Sequence, residues 1–112
     1  MVTREYIPDR GEMIWIDFDP VRGHEERGRR PALVISPKLY NARSGLALVC
    51  PLTAHVRGYP FEVPLALDEI QGAVLVDHVR SVDWRARLTQ YAGRAPRETF
   101  SEVQDKLREL IV

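Results

Sequence analysis

The chain holds a single cysteine, Cys50, in 112 residues. An internal disulfide is therefore impossible, in keeping with a reducing compartment. Lysine is almost missing: Lys38 and Lys106 are the two, so 14 of the 16 basic residues are arginines. Acids balance bases at 16 each, giving zero formal net charge. That excludes a protein that coats polyanions by bulk charge. No run approaches the roughly 18 apolar residues of a membrane span, and the opening MVTREYIPDRGE has no apolar signal segment. The expectation is a cytoplasmic protein without a membrane partner. GxGxxG, P-loop, HExxH and paired-cysteine spacings are all missing, so neither a nucleotide cofactor nor a metal is expected.

What is present is ordinary globular material. Hydrophobic residues make up 45% of the chain, enough for one domain spanning 1–112, with a core small enough that oligomerising would help it. Glu12 to Phe18 alternates, with Ile14, Ile16 and Phe18 on one face and Met13, Trp15 and Asp17 on the other, a strand signature. Further strands are expected at Ala32 to Ser36, at Leu46 to Cys50 closed by Pro51, at Phe61 to Leu67, at Ala73 to Val76 and at Arg85 to Tyr91. Pro64 demotes its strand to an edge. HVRSVDW, over 78–84, is ambiguous, and PKLYNARSG holds a helical turn and then a tight turn. From Pro96 the period changes: Phe100, Val103, Leu107, Leu110 and Ile111 fall at helical spacing, predicting one amphipathic helix of about 15 residues. The fold class is mainly β (α+β): a small, partly open antiparallel barrel with a C-terminal helix.

One stretch fits no period. Residues 20–31, PVRGHEERGRRP, carry four arginines and two adjacent glutamates between prolines. Composition describes a solvated loop, with Gly23 and Gly28 permitting motion. Arginine's planar fork suits phosphate or carboxylate. The histidines His24, His55 and His78 share no metal or acid–base spacing and read as solvent-facing loop residues. Cys50 lies inside an apolar run and reads as an inert buried thiol. Trp15 sits opposite the aliphatic face of its strand, so it is either an exposed stacking platform for a base or a residue that packs against a subunit partner; Trp84 reads as structural.

Several stretches in one order carry a resemblance: GEMIWIDFDPVRGHE, GRRPALVISPKLYN, VCPLTAHVRGYPFEV and VDHVRSVDWRAR. Together they resemble the MazF/PemK-type toxins of bacterial toxin–antitoxin pairs, over essentially the whole chain. The resemblance implies an SH3-like antiparallel barrel with a C-terminal helix, assembled as a homodimer. It implies a sequence-specific, metal-independent endoribonuclease acting on single-stranded RNA, leaving a 2′,3′-cyclic phosphate and a 5′-hydroxyl. It also implies a cognate antitoxin whose acidic tail blocks the RNA groove. The arginine of the GxRP junction is Arg30 and the threonine after Pro-Leu is Thr53; these match the family's catalytic pair. The loop acid matches Glu25, with Arg27 and Arg29 nearby.

The chemistry suits those residues. Metal-free cleavage uses the RNA 2′-hydroxyl as nucleophile, so the protein must move protons and stabilise charge on phosphorus. Arg30 would bind the scissile phosphate and Thr53 would donate to a non-bridging oxygen. Glu25 would take a proton or orient an arginine. Trp15 and Phe18 are candidates to stack bases, and Arg57 and Arg87 to contact phosphate. Two other functions share the barrel: a gyrase poison of the CcdB type and a non-catalytic SH3-like binding module.

Overall fold

A computed structural model describes residues 5–18 and 28–111. Seven strands build it: β1 (Glu12–Asp17), β2 (Arg29–Val34), β3 (Leu46–Thr53), β4 (Glu62–Leu67), β5 (Ile70–Leu75), β6 (Arg80–Asp83) and β7 (Gln90–Arg94). Helix α1 (Lys38–Ser44) joins β2 to β3, and α2 (Arg97–Ile111) ends the described chain. All pairings are antiparallel. The order across the sheet is β4-β5-β3-β2-β1-β7, with β6 also pairing β3.

The middle strands are buried on both faces, because successive side chains point to opposite sides. Met13, Leu33 and Cys50 enter one core, which α2 covers with Val103 and Leu107. Their chain neighbours Ile14, Val34 and Val49 enter a second core, with Phe18, Val82 and Trp84. Trp15 shares the face of Met13 and packs partly buried against the first core. Both tryptophans therefore pack; the Trp84 Nε1–H donates 3.0 Å to the Asn41 carbonyl.

Several boundaries differ from the sequence reading, each for a local reason. β3 runs through Pro51 to Thr53 instead of closing at Cys50. The Ile35 N–H donates to the Leu48 carbonyl, which fixes the alternation of rungs along β3. Pro51 then turns its nitrogen away from β2. On that far side β6 pairing ends at Val49 and β5 pairing begins at Leu52, so the missing N–H costs no rung. Pro64 lies on β4, an edge strand as expected. The expected final strand starts at Gln90, not Arg85, because residues 84–88 form turns and Leu88 adopts a left-handed φ of 52°. The ambiguous stretch resolves into a 3-10 turn, Val76–His78, followed by β6.

The helical turn after Pro37 is a two-turn helix, ended by Gly45 at φ 74°. Its buried Asn41 holds three segments together: the side-chain amide donates to the Pro8 and Ser36 carbonyls, and its oxygen accepts from the Ser36 hydroxyl. No helix among the described residues is long and apolar enough to cross a membrane.

Candidate active site

The site begins with a register. β2 and β3 pair up to Ala32↔Pro51. Continuing the same register two residues further sets Arg30 across from Thr53, on one face of two adjacent strands. Both residues line a cleft of about 440 Å³. Thr53 is buried and its Oγ1 accepts the His55 N–H at 3.0 Å. The hydroxyl hydrogen can therefore still be given to a ligand. Being on strands, Arg30 is held by its pairing with β1 and Thr53 by its pairing with β5, while the loop preceding Arg30 (residues 19–27) falls outside the described residues. Glu25 and Arg27 lie in that stretch, so their expected roles have no structural counterpart here.

The far wall of the cleft is the segment between β3 and β4. It contributes His55, Arg57 and Tyr59, and it is tied down from two directions. The Glu62 carboxylate accepts backbone N–H groups from Arg57, Gly58 and Tyr59 through one oxygen, at 3.0, 2.8 and 3.3 Å. From α2, the Lys106 ammonium donates to the Pro60 carbonyl at 2.6 Å. Gly58 sits at φ 78°, the left-handed turn position that lets three successive N–H groups converge on one acceptor. Asp77 and His78 of the 3-10 turn complete the cleft.

Arg30, Thr53 and Arg57 are thus brought together, whereas Arg29 and Arg87 line no part of this cleft. Arg29 follows the opposite side of β2 from Arg30. It forms an ion pair with Asp17 at 3.1 Å and donates to the Gln90 side chain at 2.7 Å. Arg87 exchanges contacts with the same residue, its guanidinium donating to the Asp17 carbonyl at 3.0 Å. Asp17 and Arg29 line a separate cleft with Leu88, Thr89 and Gln90. Phe18 corrects the sequence reading: it is fully buried, with the Arg80 guanidinium 5.5 Å from its ring centre, and offers no face to a base. Trp15, half-buried against the first core, is likewise not a free-standing platform.

His55 and His78 were passed over because neither their spacing nor their neighbours in sequence form a pattern. They stand 23 positions apart, on different elements that meet only in the folded chain. Tyr59, 59% exposed at the cleft wall, was missed for the same reason. Cys50 behaves as expected of an inert thiol: burial, and secondarily the charge of Asp77, push it up to about 12. Among the described residues no group of three His, Cys, Asp or Glu side chains is arranged to hold a metal.

Comparison with known proteins places this geometry. Residues 9–111 match the family described as PemK-like, MazF-like toxin of type II toxin-antitoxin system. The endoribonuclease toxin MazF of Escherichia coli K12 is 45% identical over 111 residues, covering 99% of each chain. The crystal structure of MazF from Deinococcus radiodurans superposes with a TM-score of 0.91 at 47% identity, covering 96% of this chain and 98% of that one. A MazE–MazF complex from the same organism matches with a TM-score of 0.84 at 44% identity, over 96% and 97% of the two chains. With a family match over nearly its whole length and relatives at this identity, the chain belongs to the PemK-like, MazF-like toxins of type II toxin–antitoxin systems.

Proposed function

We propose that this chain is the toxin of such a pair and acts as a sequence-specific endoribonuclease on single-stranded RNA, without a metal. The attacking group is the RNA 2′-hydroxyl, and the products carry 2′,3′-cyclic phosphate and 5′-hydroxyl ends. The observation that carries this reading is the meeting of Arg30 and Thr53, from adjacent strands, in one cleft of a chain whose relatives are endoribonucleases. Arg30 binds the scissile phosphate and stabilises the charge that grows on its oxygens. The Thr53 hydroxyl donates to a non-bridging oxygen. Arg57, on the opposite wall of the cleft, contacts phosphate. Glu25 either takes a proton or holds an arginine.

The same reading supplies the partners. Related toxins occur in complexes with MazE, so the natural inhibitor is a cognate antitoxin whose acidic tail lies along the arginine-bearing groove. The working form is a homodimer. Its compartment is the cytoplasm, where messenger RNA is found and a buried free thiol such as Cys50 stays reduced.

The deciding experiment incubates the purified protein with a long RNA in excess EDTA and maps the ends. Discrete cuts with cyclic phosphate termini are expected. Trapping of gyrase on DNA instead, or binding without cleavage, refutes the reading in favour of a poison or a binding module. Preorganised donors aimed at developing charge contribute about 2.7–4 kcal/mol each, so Arg30→Ala should cut at least ~100-fold more slowly. A loss of only a few-fold removes Arg30 from its role.

A further inference from the structure

Two protons must move in this reaction, and the two residues first named handle neither well. By residue type, arginine stays charged below about pH 12 and threonine does not ionise. Tyrosine ionises near 10 and carboxylates near 4. One Glu62 oxygen is already committed to three backbone N–H groups. Imidazole is the side chain that both gives and takes a proton near neutrality. The cleft holding Arg30 and Thr53 contains two of them, one from each of two separate elements.

We propose that His55 and His78 are the proton-transfer pair of the cleavage reaction, a statement that rests on the ribonuclease reading above. His55 is exposed, two residues beyond Thr53, and its position is set by its own N–H donating to the Thr53 Oγ1 at 3.0 Å. His78 is half-buried at the end of the 3-10 turn on the other side. Among the described residues, the charged and titratable groups that line the cleft with them are Arg30 from β2, Arg57 and Tyr59 from the β3–β4 segment, Glu62 from β4 and Asp77 from the 3-10 turn.

The chemistry balances without any further reactant. One imidazole, neutral, accepts the 2′-hydroxyl proton as the 2′-oxygen bonds to phosphorus. The bond from phosphorus to the 5′-oxygen breaks, its electron pair leaving with that oxygen. The second imidazole, protonated, gives its proton to it. Each histidine ends in the other's starting state, and exchange with water resets both. Arg30 and Thr53 hold the phosphate throughout.

The test measures single-turnover cleavage of a short single-stranded RNA containing a mapped site, in EDTA, from pH 5 to 9. Wild type is compared with His55→Gln, His78→Gln, the double variant and Glu25→Gln. Affinity is measured in parallel with an uncleavable RNA bearing a 2′-deoxy sugar at the site. The expected wild-type profile is a bell. Each histidine variant loses one limb and about 100-fold in rate, with affinity for the uncleavable RNA within threefold. An RNA with sulfur in place of the 5′-bridging oxygen needs no proton to leave, so it restores the rate of whichever variant lacks the acid. Three results overturn the proposal: a double variant within threefold of wild type with both limbs intact, losses confined to affinity, or a base limb that vanishes only in Glu25→Gln. A wild-type protein that cuts no RNA in EDTA brings down the ribonuclease reading itself, whereas cleavage indifferent to both histidines overturns this inference alone.

Discussion

A methyl group at position 72 tests how Thr53 is held. β5 passes so close to the end of β3 that a Cβ on Gly72 would lie 2.1 Å from the Thr53 carbonyl oxygen and 3.0 Å from its carbonyl carbon. Both are backbone atoms, so no rotamer change can relieve the clash. Ordinary contact begins at 3.4 Å, so the strands must part by about 1 Å, at the point where Thr53 pairs with Ala73. Overpacking of this kind costs about 1–3 kcal/mol of stability. A misplacement of about 1 Å at a reacting group costs on the order of 100-fold in rate. Gly72→Ala should therefore stay folded, lose about 1–3 kcal/mol in urea unfolding, and lose about 100-fold in kcat with a smaller change in KM. Gly93→Ala is the control. Its Cβ would meet the tip of Leu67 at 2.8 Å, a side chain able to swing away, at a φ of 131° that strains the backbone. Gly93 lines no part of the cleft, so its variant should lose similar stability and keep cleavage within threefold of wild type. If Gly72→Ala cleaves within threefold of wild type, or if the two variants lose activity equally, Thr53 is not positioned by the close approach of β5.

Two further outcomes follow from other contacts. Glu62→Ala removes the acceptor of three backbone N–H groups. Hydrogen exchange at 57–59 should speed by at least ~10-fold and stability fall by about 1–2 kcal/mol, while Glu62→Gln, which keeps an acceptor oxygen, recovers most of both. Cys50 ionises at about 12 in the folded chain because it is buried, against about 8.5 when unfolded. A raised pKa gives stability that is complete below the unfolded value and lost as pH climbs towards the folded one. Unfolding free energy should thus drop by about 1–2 kcal/mol more between pH 8 and 10 in wild type than in Cys50→Ala, and equal slopes would show that the thiol is not linked to folding.

Periodicity was a good guide where one face or one stripe decides burial. The alternation of Glu12–Asp17 and the helical spacing ending at Ile111 are local patterns, and both elements formed where expected. It was a poor guide where a partner decides. Pro51 looks like a terminator until β3 is seen to change neighbours there, so that its nitrogen faces a gap in the ladder. Asn41 has no sequence signal at all, since its three partners come from Pro8 and Ser36 and are assembled only by packing.

The sequence by itself determined the family, and it pointed to the arginine–threonine pair that the proposed mechanism uses. The order of GRRP and PLT along the chain is a linear feature, and linear features survive without a structure. The tertiary structure decided which groups share a space. Adjacent residues on a strand face opposite ways, so Arg29 and Arg30 part company, one to Asp17 and the other to Thr53. Phe18 left the surface for the second core. His55 and His78, 23 positions apart and unremarked by any spacing rule, came to the same cleft because the end of β3 and the turn after β5 are neighbours in the sheet. Proximity of that kind is set by strand pairing over long sequence separations, and no local pattern of residues encodes it.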